Sequence, residues 1–230
     1  MKQLFVLISS WLLLTPLLAA EISAQAFWYE ELEQGLPPSL HRYLVTEHYL
    51  RIDSGQADDD YILFDAAKKT IYSVNHEDQT LLTIASKAWQ LPDLKFKRHQ
   101  VSEQLEDGPR LFGKTVSTYR LFANQELCTE IQLVPDLYIQ SRAMFRDYQH
   151  VLSGQQVQTL FNTPEEMRSP CFLIDQVYNT GDNYDQGLPV QEWHSRGYAR
   201  LLKDVQPLKV DEKLFSLPEK YRSYNPLQGS

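Results

Sequence analysis

A mainly β domain of the α+β class, with one inserted helical region, is the fold that this sequence predicts. Two observations carry the prediction. Residues 43–84 read as a four-stranded meander with short polar turns, and both faces of that meander carry apolar side chains. Between about residues 140 and 161 the apolar period changes from two to three and four, the spacing of an amphipathic helix. A half-exposed antiparallel sheet needs only one apolar face. A second apolar face requires a cover, supplied either by the chain itself or by a bound apolar molecule.

The elements follow in order. Lys2, an apolar run from Leu4 to Leu18 and then small and polar residues to Ala26 have the charged, apolar and small-residue order of a secretory leader. Ala24-Gln25-Ala26 offers an A-x-A cleavage site, and Ile22-Ser23-Ala24 a second. The run is interrupted by Ser9, Ser10, Thr15 and Pro16, and falls short of the roughly 20 residues that a membrane span needs. No cysteine follows it to accept a lipid. The expectation is a cleaved signal peptide over residues 1–26, a single domain over residues 27–230, no transmembrane segment after cleavage, and export of the mature protein. About 204 residues of the 230 then remain, enough for one sizeable core.

Phe27–Arg42 reads as a short amphipathic helix ended by Gly35 and Pro37-Pro38. The meander's first strand places Leu44, His48, Leu50 and Ile52 on one face and Tyr43, Val45, Tyr49 and Arg51 on the other. Tyr61–Phe64 is apolar on both sides. Ile71–Val74 and Leu81–Ile84 complete the set, and the turns around Asp65–Lys69 and Asn75–Gln79 suit hairpins. Residues 93–101 and 114–134 continue the β pattern, with a turn at Asn124-Gln125-Glu126. Met144, Phe145, Tyr148, Val151 and Leu152, then Val157, Leu160 and Phe161, form the stripe of one amphipathic helix, or of two interrupted at Ser153-Gly154. Strands are expected again at Phe172–Tyr178, Val190–His194 and Tyr198–Lys203.

Composition excludes several functions. A chain that is 43% hydrophobic and 12% aromatic folds into a packed core. A net charge of −8, unchanged when Lys2 and Glu21 leave together, disfavours nucleic acid and anionic membranes as partners. The basic cluster Lys95–His99 has the spacing of a solvated strand face. Gly108–Thr115 fits the G-x-x-x-x-G-K-[ST] phosphate loop, but an acidic segment precedes it, β-formers follow it, and Pro109 removes a donor. It reads as a turn before a strand.

The six histidines, at 41, 48, 76, 99, 150 and 194, form no helical zinc pair, and no G-x-S-x-G elbow is present. Asp58–Asp60 and Asp182–Asp185 lack the ligand spacing of a calcium loop and read as hydrated turns. No cofactor, metal or catalytic residue is expected, and the chain does not read as an enzyme. Cys128 and Cys171, the only cysteines, are expected to form a disulfide in an oxidising compartment.

Three segments resemble a known family. Arg51-Ile52-Asp53, Tyr61–Asp65 and Lys69–Tyr72 look like the strand–turn–strand signature of the LolA-like periplasmic proteins, a superfamily of lipoprotein carriers and related lipid-binding and stress-sensing domains. The ending, Leu214–Pro218 and then Tyr221, is similar to the C-terminal strand of an uncharacterised bacterial envelope family thought to share that architecture. The resemblance implies a curved antiparallel half-barrel with the helical region packed on its concave face over an apolar cavity, and a periplasmic location. LolA carriers place more than one helix there, whereas residues 140–161 supply one, and no carrier lipid contact transfers to a numbered residue.

The function expected is a non-catalytic binder or carrier of a lipid, a lipoprotein acyl chain or another apolar ligand, with Tyr49, Leu63, Ile71, Leu81 and Phe145 as expected lining residues. The alternative is an envelope interaction, structural or stress-sensing protein with a protein partner and a filled core. A hydrolase comes last, and would need a cluster such as His194 beside acidic residues in a cleft.

Overall fold

The computed structural model describes residues 20–225 apart from 57, 92, 94, 105 and 106. In chain order the elements are β1 (Glu21–Glu33), β2 (Ser39–Val45), β3 (Tyr49–Asp53), β4 (Tyr61–Asp65), β5 (Thr70–Asn75), β6 (Thr80–Ala85), β7 (Arg98–Gln104), β8 (Arg110–Leu111), β9 (Lys114–Thr115), β10 (Ser117–Ala123), β11 (Glu126–Val134), α1 (Ile139–Thr159), α2 (Pro170–Leu173), α3 (Asn183–Gln186), β12 (Leu188–His194), β13 (Tyr198–Asp211) and β14 (Arg222–Tyr224). Twelve strands form one sheet in the order β14-β6-β5-β4-β3-β2-β1-β13-β12-β11-β10-β7, and the sheet does not close into a barrel. Neighbours are antiparallel except β14, which runs parallel to β6 and makes the sheet mixed. The mainly β class and the inserted helix are as the sequence predicts.

Both apolar faces of the meander are covered by the chain itself. On the first, Phe27, Tyr43, Val45, Leu50, Ile52, Phe64 and Ile71 pack with Met144, Phe145 and Val151 of α1. Phe145 meets Phe27 edge-on at 5.2 Å and Tyr43 at 6.0 Å, the offset geometry that ring quadrupoles favour. On the second face, Ala24, Ala26, Leu44, Tyr61, Leu63, Val74 and Leu81 pack under Phe215, with Leu214, Leu217 and Tyr221 around it. This C-terminal strap is pinned by polar contacts as well. Arg51 donates to the Leu214 carbonyl at 2.7 Å, and the Tyr61 hydroxyl donates to the Ser216 carbonyl at 2.9 Å. Each side chain buried in these layers stabilises the fold by roughly 1.5–3 kcal/mol relative to exposure.

A third cluster lies under β10 and β11, where Tyr119, Leu121, Ile131 and Leu133 pack with Ile174 and the Cys128–Cys171 disulfide. The bridge joins positions 43 residues apart, and so ties the segment after α1 to β11.

Three local readings differ from the structure. The Phe27–Arg42 helix is instead the body of β1 and the start of β2. Phe27 and Tyr29 lie on the face under α1 and Ala24 and Ala26 on the face under the C-terminal strap, so neighbouring residues are buried together and the two-residue alternation is blurred. Residues 43–52 are two strands rather than one. Thr46 Oγ1 accepts from the His48 and Tyr49 amides and turns the chain between β2 and β3. Phe172–Tyr178 is helical, because Ser169 caps the Phe172 amide and Pro170 opens α2, which passes into a π-helical turn at Ile174–Tyr178. Of the two readings of the helical region, one continuous helix is found: α1 runs through Ser153-Gly154, and Gly154 leaves space for the Trp89 indole, which a Cβ there would strike.

The phosphate-loop match is a small hairpin. β8 and β9 pair about Phe112 and Gly113, both in the left-handed region at φ 51° and 75°, and the chain continues into β10 instead of a helix. Residues 1–19 of the expected leader lie outside the described residues, whereas residues 21–26 belong to β1. Among the described residues no helix is long and apolar enough to cross a membrane.

Candidate functional site

The β12–β13 hairpin sets the most charged interior site. Its tight turn brings Glu192 opposite Arg200 and His194 opposite Tyr198. The two-residue alternation then points Glu192 and His194 to one face. Asp175 arrives from the π-helical turn, four residues after the cysteine that anchors that segment to β11. Thr129, the neighbour of Cys128, donates its hydroxyl to Asp175 Oδ1 at 2.5 Å, and the same carboxylate oxygen lies 3.1 Å from His194 Nδ1.

Arg200 completes the network. Its Nη2 donates to Glu192 Oε1 at 2.6 Å and to the Tyr184 hydroxyl at 3.1 Å. Its Nη1 donates to the Tyr43 hydroxyl at 3.3 Å, and Tyr43 in turn donates to Glu31 at 2.9 Å. Arg200 Nε has no oxygen acceptor among the described residues; the guanidinium instead lies over the rings of Tyr29 and Tyr43, 4.6 and 5.6 Å from their centroids.

Burial and pairing oppose each other here, and pairing wins for the charged groups. Burial alone would lower the His194 pKa, but the Asp175 hydrogen bond and the Glu192 charge carry it up to about 9. Burial alone would raise Glu192, but the Arg200 and His194 charges hold it down at about 2. Burial pushes the Tyr29 and Tyr43 hydroxyls well above the ordinary phenol range and raises that of Tyr184, the nearby Arg200 charge offsetting only part of the desolvation.

Beside this network lies a cavity of about 390 Å³ between the second half of α1 and the β12–β13 hairpin, into which Gln149, Leu152, Gln156, Asn183, Tyr198 and Arg200 all contribute. At the other end of α1 lies a larger and more apolar cleft of about 1050 Å³. It is walled by Ile22, Ala24 and Pro207 from β1 and β13, Val45 from β2, and Tyr138 and Ile139 at the helix start. Tyr138, at φ 48°, supplies no side-chain cap to α1, and the helix has no acidic residue in its first turn. The uncapped amides there carry the positive end of the helix dipole.

The expected lining residues do not come together. Ile71 and Phe145 are in the cluster under α1, whereas Leu63, Leu81 and Tyr49 are in the cluster under the C-terminal strap. None of the five lines the cleft or the cavity. Asp60 binds the His76 amide and the Asn75 side chain, and Asp185 pairs with Arg146 at 2.8 Å, so both acidic loops use carboxylates as internal caps and partners. Among the described residues no group of three or more His, Cys, Asp or Glu side chains is placed to hold a metal.

No family model matches the sequence, and no curated protein matches it. Among solved structures, the chain is similar to an uncharacterised conserved protein from Thermus thermophilus, with 7% identity and a TM-score of 0.43 over 88% of this chain and 90% of that one. It is also similar to PNGF-II in the C2 crystal form, at 10% identity and a TM-score of 0.44, and in the P21 form, at 9% and 0.43. In both forms 90% of this chain is covered but only 32% of PNGF-II, so the chain spans about a third of that protein. Likeness at this level assigns neither a family nor an activity.

Proposed function

We propose that this protein is a non-catalytic binder or carrier of an amphipathic apolar ligand, a lipid or a lipoprotein acyl chain, acting in the periplasm on a LolA-like half-barrel. The observation that carries the reading is the cleft of about 1050 Å³ between the sheet and the start of α1. Its wall of Ile22, Ala24, Val45, Ile139 and Pro207 offers apolar surface, worth roughly 25 cal/mol for each Å² that a ligand removes from water. The uncapped amides at the start of α1 suit a carboxylate or phosphate head. The ligand therefore enters at the end of the helix, and not between α1 and the sheet, where Phe145 and its neighbours already fill the space.

Two features argue against hydrolysis. His194, between Asp175 and Glu192, holds its proton at neutral pH and has no free lone pair with which to act as a base. The nearest hydroxyl, Thr129, is 1% exposed and donates to Asp175.

The test is displacement of a fluorescent fatty acid from the purified protein, together with native mass spectrometry of protein isolated from its own envelope. Bound lipid, and displacement weakened about tenfold by Ile139→Asp, would support the reading; Ile139 is 63% exposed, so the change leaves the fold intact. Absence of both bound and displaceable lipid would overturn it.

A second reading is favoured by one observation, the covering of both sheet faces by α1 and the C-terminal strap. On this reading the protein is an envelope interaction or stress-sensing protein with a filled core. It predicts no lipid and a crosslinked envelope partner.

A further inference from the structure

We propose that the cavity between α1 and the β12–β13 hairpin is a binding site of its own, for an uncharged, hydroxyl- and amide-bearing molecule of sugar size. Its charges are the first reason. Glu33, Asp175 and Glu192 face His194, Arg196 and Arg200 around it, three anions against three cations. The pairs of Glu192 with Arg200 and Asp175 with His194 are already closed within the protein. An ion entering here would meet no net attraction, whereas a neutral molecule with many hydrogen-bonding groups meets a fixed array of dipoles.

The second reason is a set of side chains whose capacity is unspent. Asn183 is only 4% exposed and lines the cavity, yet its carboxamide has no hydrogen-bond partner among the described residues. Its amide opens on the cavity rather than being sealed in the core, and a carboxamide offers two donors and an acceptor to a ligand there. The Tyr198 hydroxyl and the Gln156 carboxamide, also on the wall, likewise have no partner among the described residues. The third reason is shape. Leu152 and the rings of Tyr184 and Tyr198 add apolar surface to this polar wall, the combination that suits a ring with C–H faces and a hydroxyl rim. A volume of about 390 Å³ is within the range of small-molecule sites.

The buried ion pairs have a defined part in this. They fix Arg200, Glu192 and Tyr184 before a ligand arrives, so that little ordering remains to be done on binding.

The test is isothermal titration and saturation-transfer NMR on the full protein with glucose and N-acetylglucosamine, against glucuronate and glucosamine as charged counterparts. Binding of a neutral sugar is expected, with the charged forms weaker. Gln156→Ala, on the half-buried rim, and Asn183→Leu should each weaken it about tenfold. Gln156→Ala keeps the test decisive if Asn183→Leu fails to fold. Ile139→Asp, in the apolar cleft, should leave sugar binding unchanged, which separates this site from the lipid reading. No neutral sugar bound by the wild type, binding stronger for a charged form, or affinity unchanged in Gln156→Ala would each overturn the proposal.

Discussion

Replacing His194 by glutamine should remove a pH dependence that the wild-type protein carries on the alkaline side. In the folded chain the His194 pKa stands at about 9 against 6.5 for the ordinary group, and the side chain is only 11% exposed. A pKa raised by folding means that the folded state holds the proton more tightly than the unfolded one. The resulting stability is fully present below about pH 6.5 and is lost as the pH rises through about 9. At 1.36 kcal/mol for each unit, the difference is about 3 kcal/mol. Glutamine keeps much of the side chain's size and a donor for Asp175 but cannot titrate. The assay is urea unfolding of the two proteins from about pH 6 to about pH 10, with wild-type stability minus variant stability plotted against pH. That difference should fall by about 3 kcal/mol across the interval. A flat difference would refute the reasoning, because it would mean that His194 binds its proton no more tightly in the fold than outside it.

Glu192→Gln should show the mirror behaviour in acid. The wild-type advantage is present above about pH 4.5 and lost as the pH falls through about 2, as measured by the same difference plot. Phe215→Ala, under the strap, should cost about 3–5 kcal/mol in urea and raise binding of an apolar dye, as the second sheet face opens. Replacing Cys128 and Cys171 together by alanine should cost about 4 kcal/mol on the chain-entropy model, read by the same unfolding assay. If the leader is cleaved as proposed, mass spectrometry of the protein isolated from the envelope should find a first residue no later than Glu21. Cleavage after Ala26 would remove residues paired with β13 and would strip Ala24 and Ala26 from the core.

The sequence is legible where one physical signal dominates, and opaque where two compete. The stripe Met144, Phe145, Tyr148, Val151, Leu152 is pure helical period, and α1 follows it closely. Asn124 turns its hairpin at φ 57°, a conformation asparagine tolerates. At β1 the signals conflict. Glu30, Glu31 and Glu33 fall among apolar residues at a spacing that also suits a helix face, and burial of the adjacent Ala26 and Phe27 on opposite covered faces hides the strand period that would have decided it. The Ser169-Pro170 helix start is present as a motif, but the β-rich composition of Phe172–Tyr178 outweighs it. The charged site is half legible. Glu192, His194, Tyr198 and Arg200 alternate along two predicted strands joined by a turn, and polar residues at such positions mark something other than an ordinary core. Asp175 and Thr129 are not legible, because only the disulfide's tertiary geometry brings them to His194.

The two apolar faces of the meander bear on function differently from what the sequence suggests. An uncovered face would have required a ligand across the sheet, yet α1 and the strap of Leu214, Phe215, Leu217 and Tyr221 cover one face each. The cleft and the cavity accordingly lie toward the two ends of α1, beyond its packed middle. The ends differ in chemistry because the strands beneath them differ. The start of α1 meets Ile22, Ala24, Val45 and Pro207, whereas its second half meets the Glu192–Arg200 ladder. Phe27, Tyr43 and Phe145 pack the stretch between, so binding at one end is felt at the other only if α1 shifts as a unit. Lipid in the cleft and sugar in the cavity should accordingly bind with independent affinities. A change in either affinity when the other site is filled would show that α1 moves on the sheet, and would make the helix the coupling element.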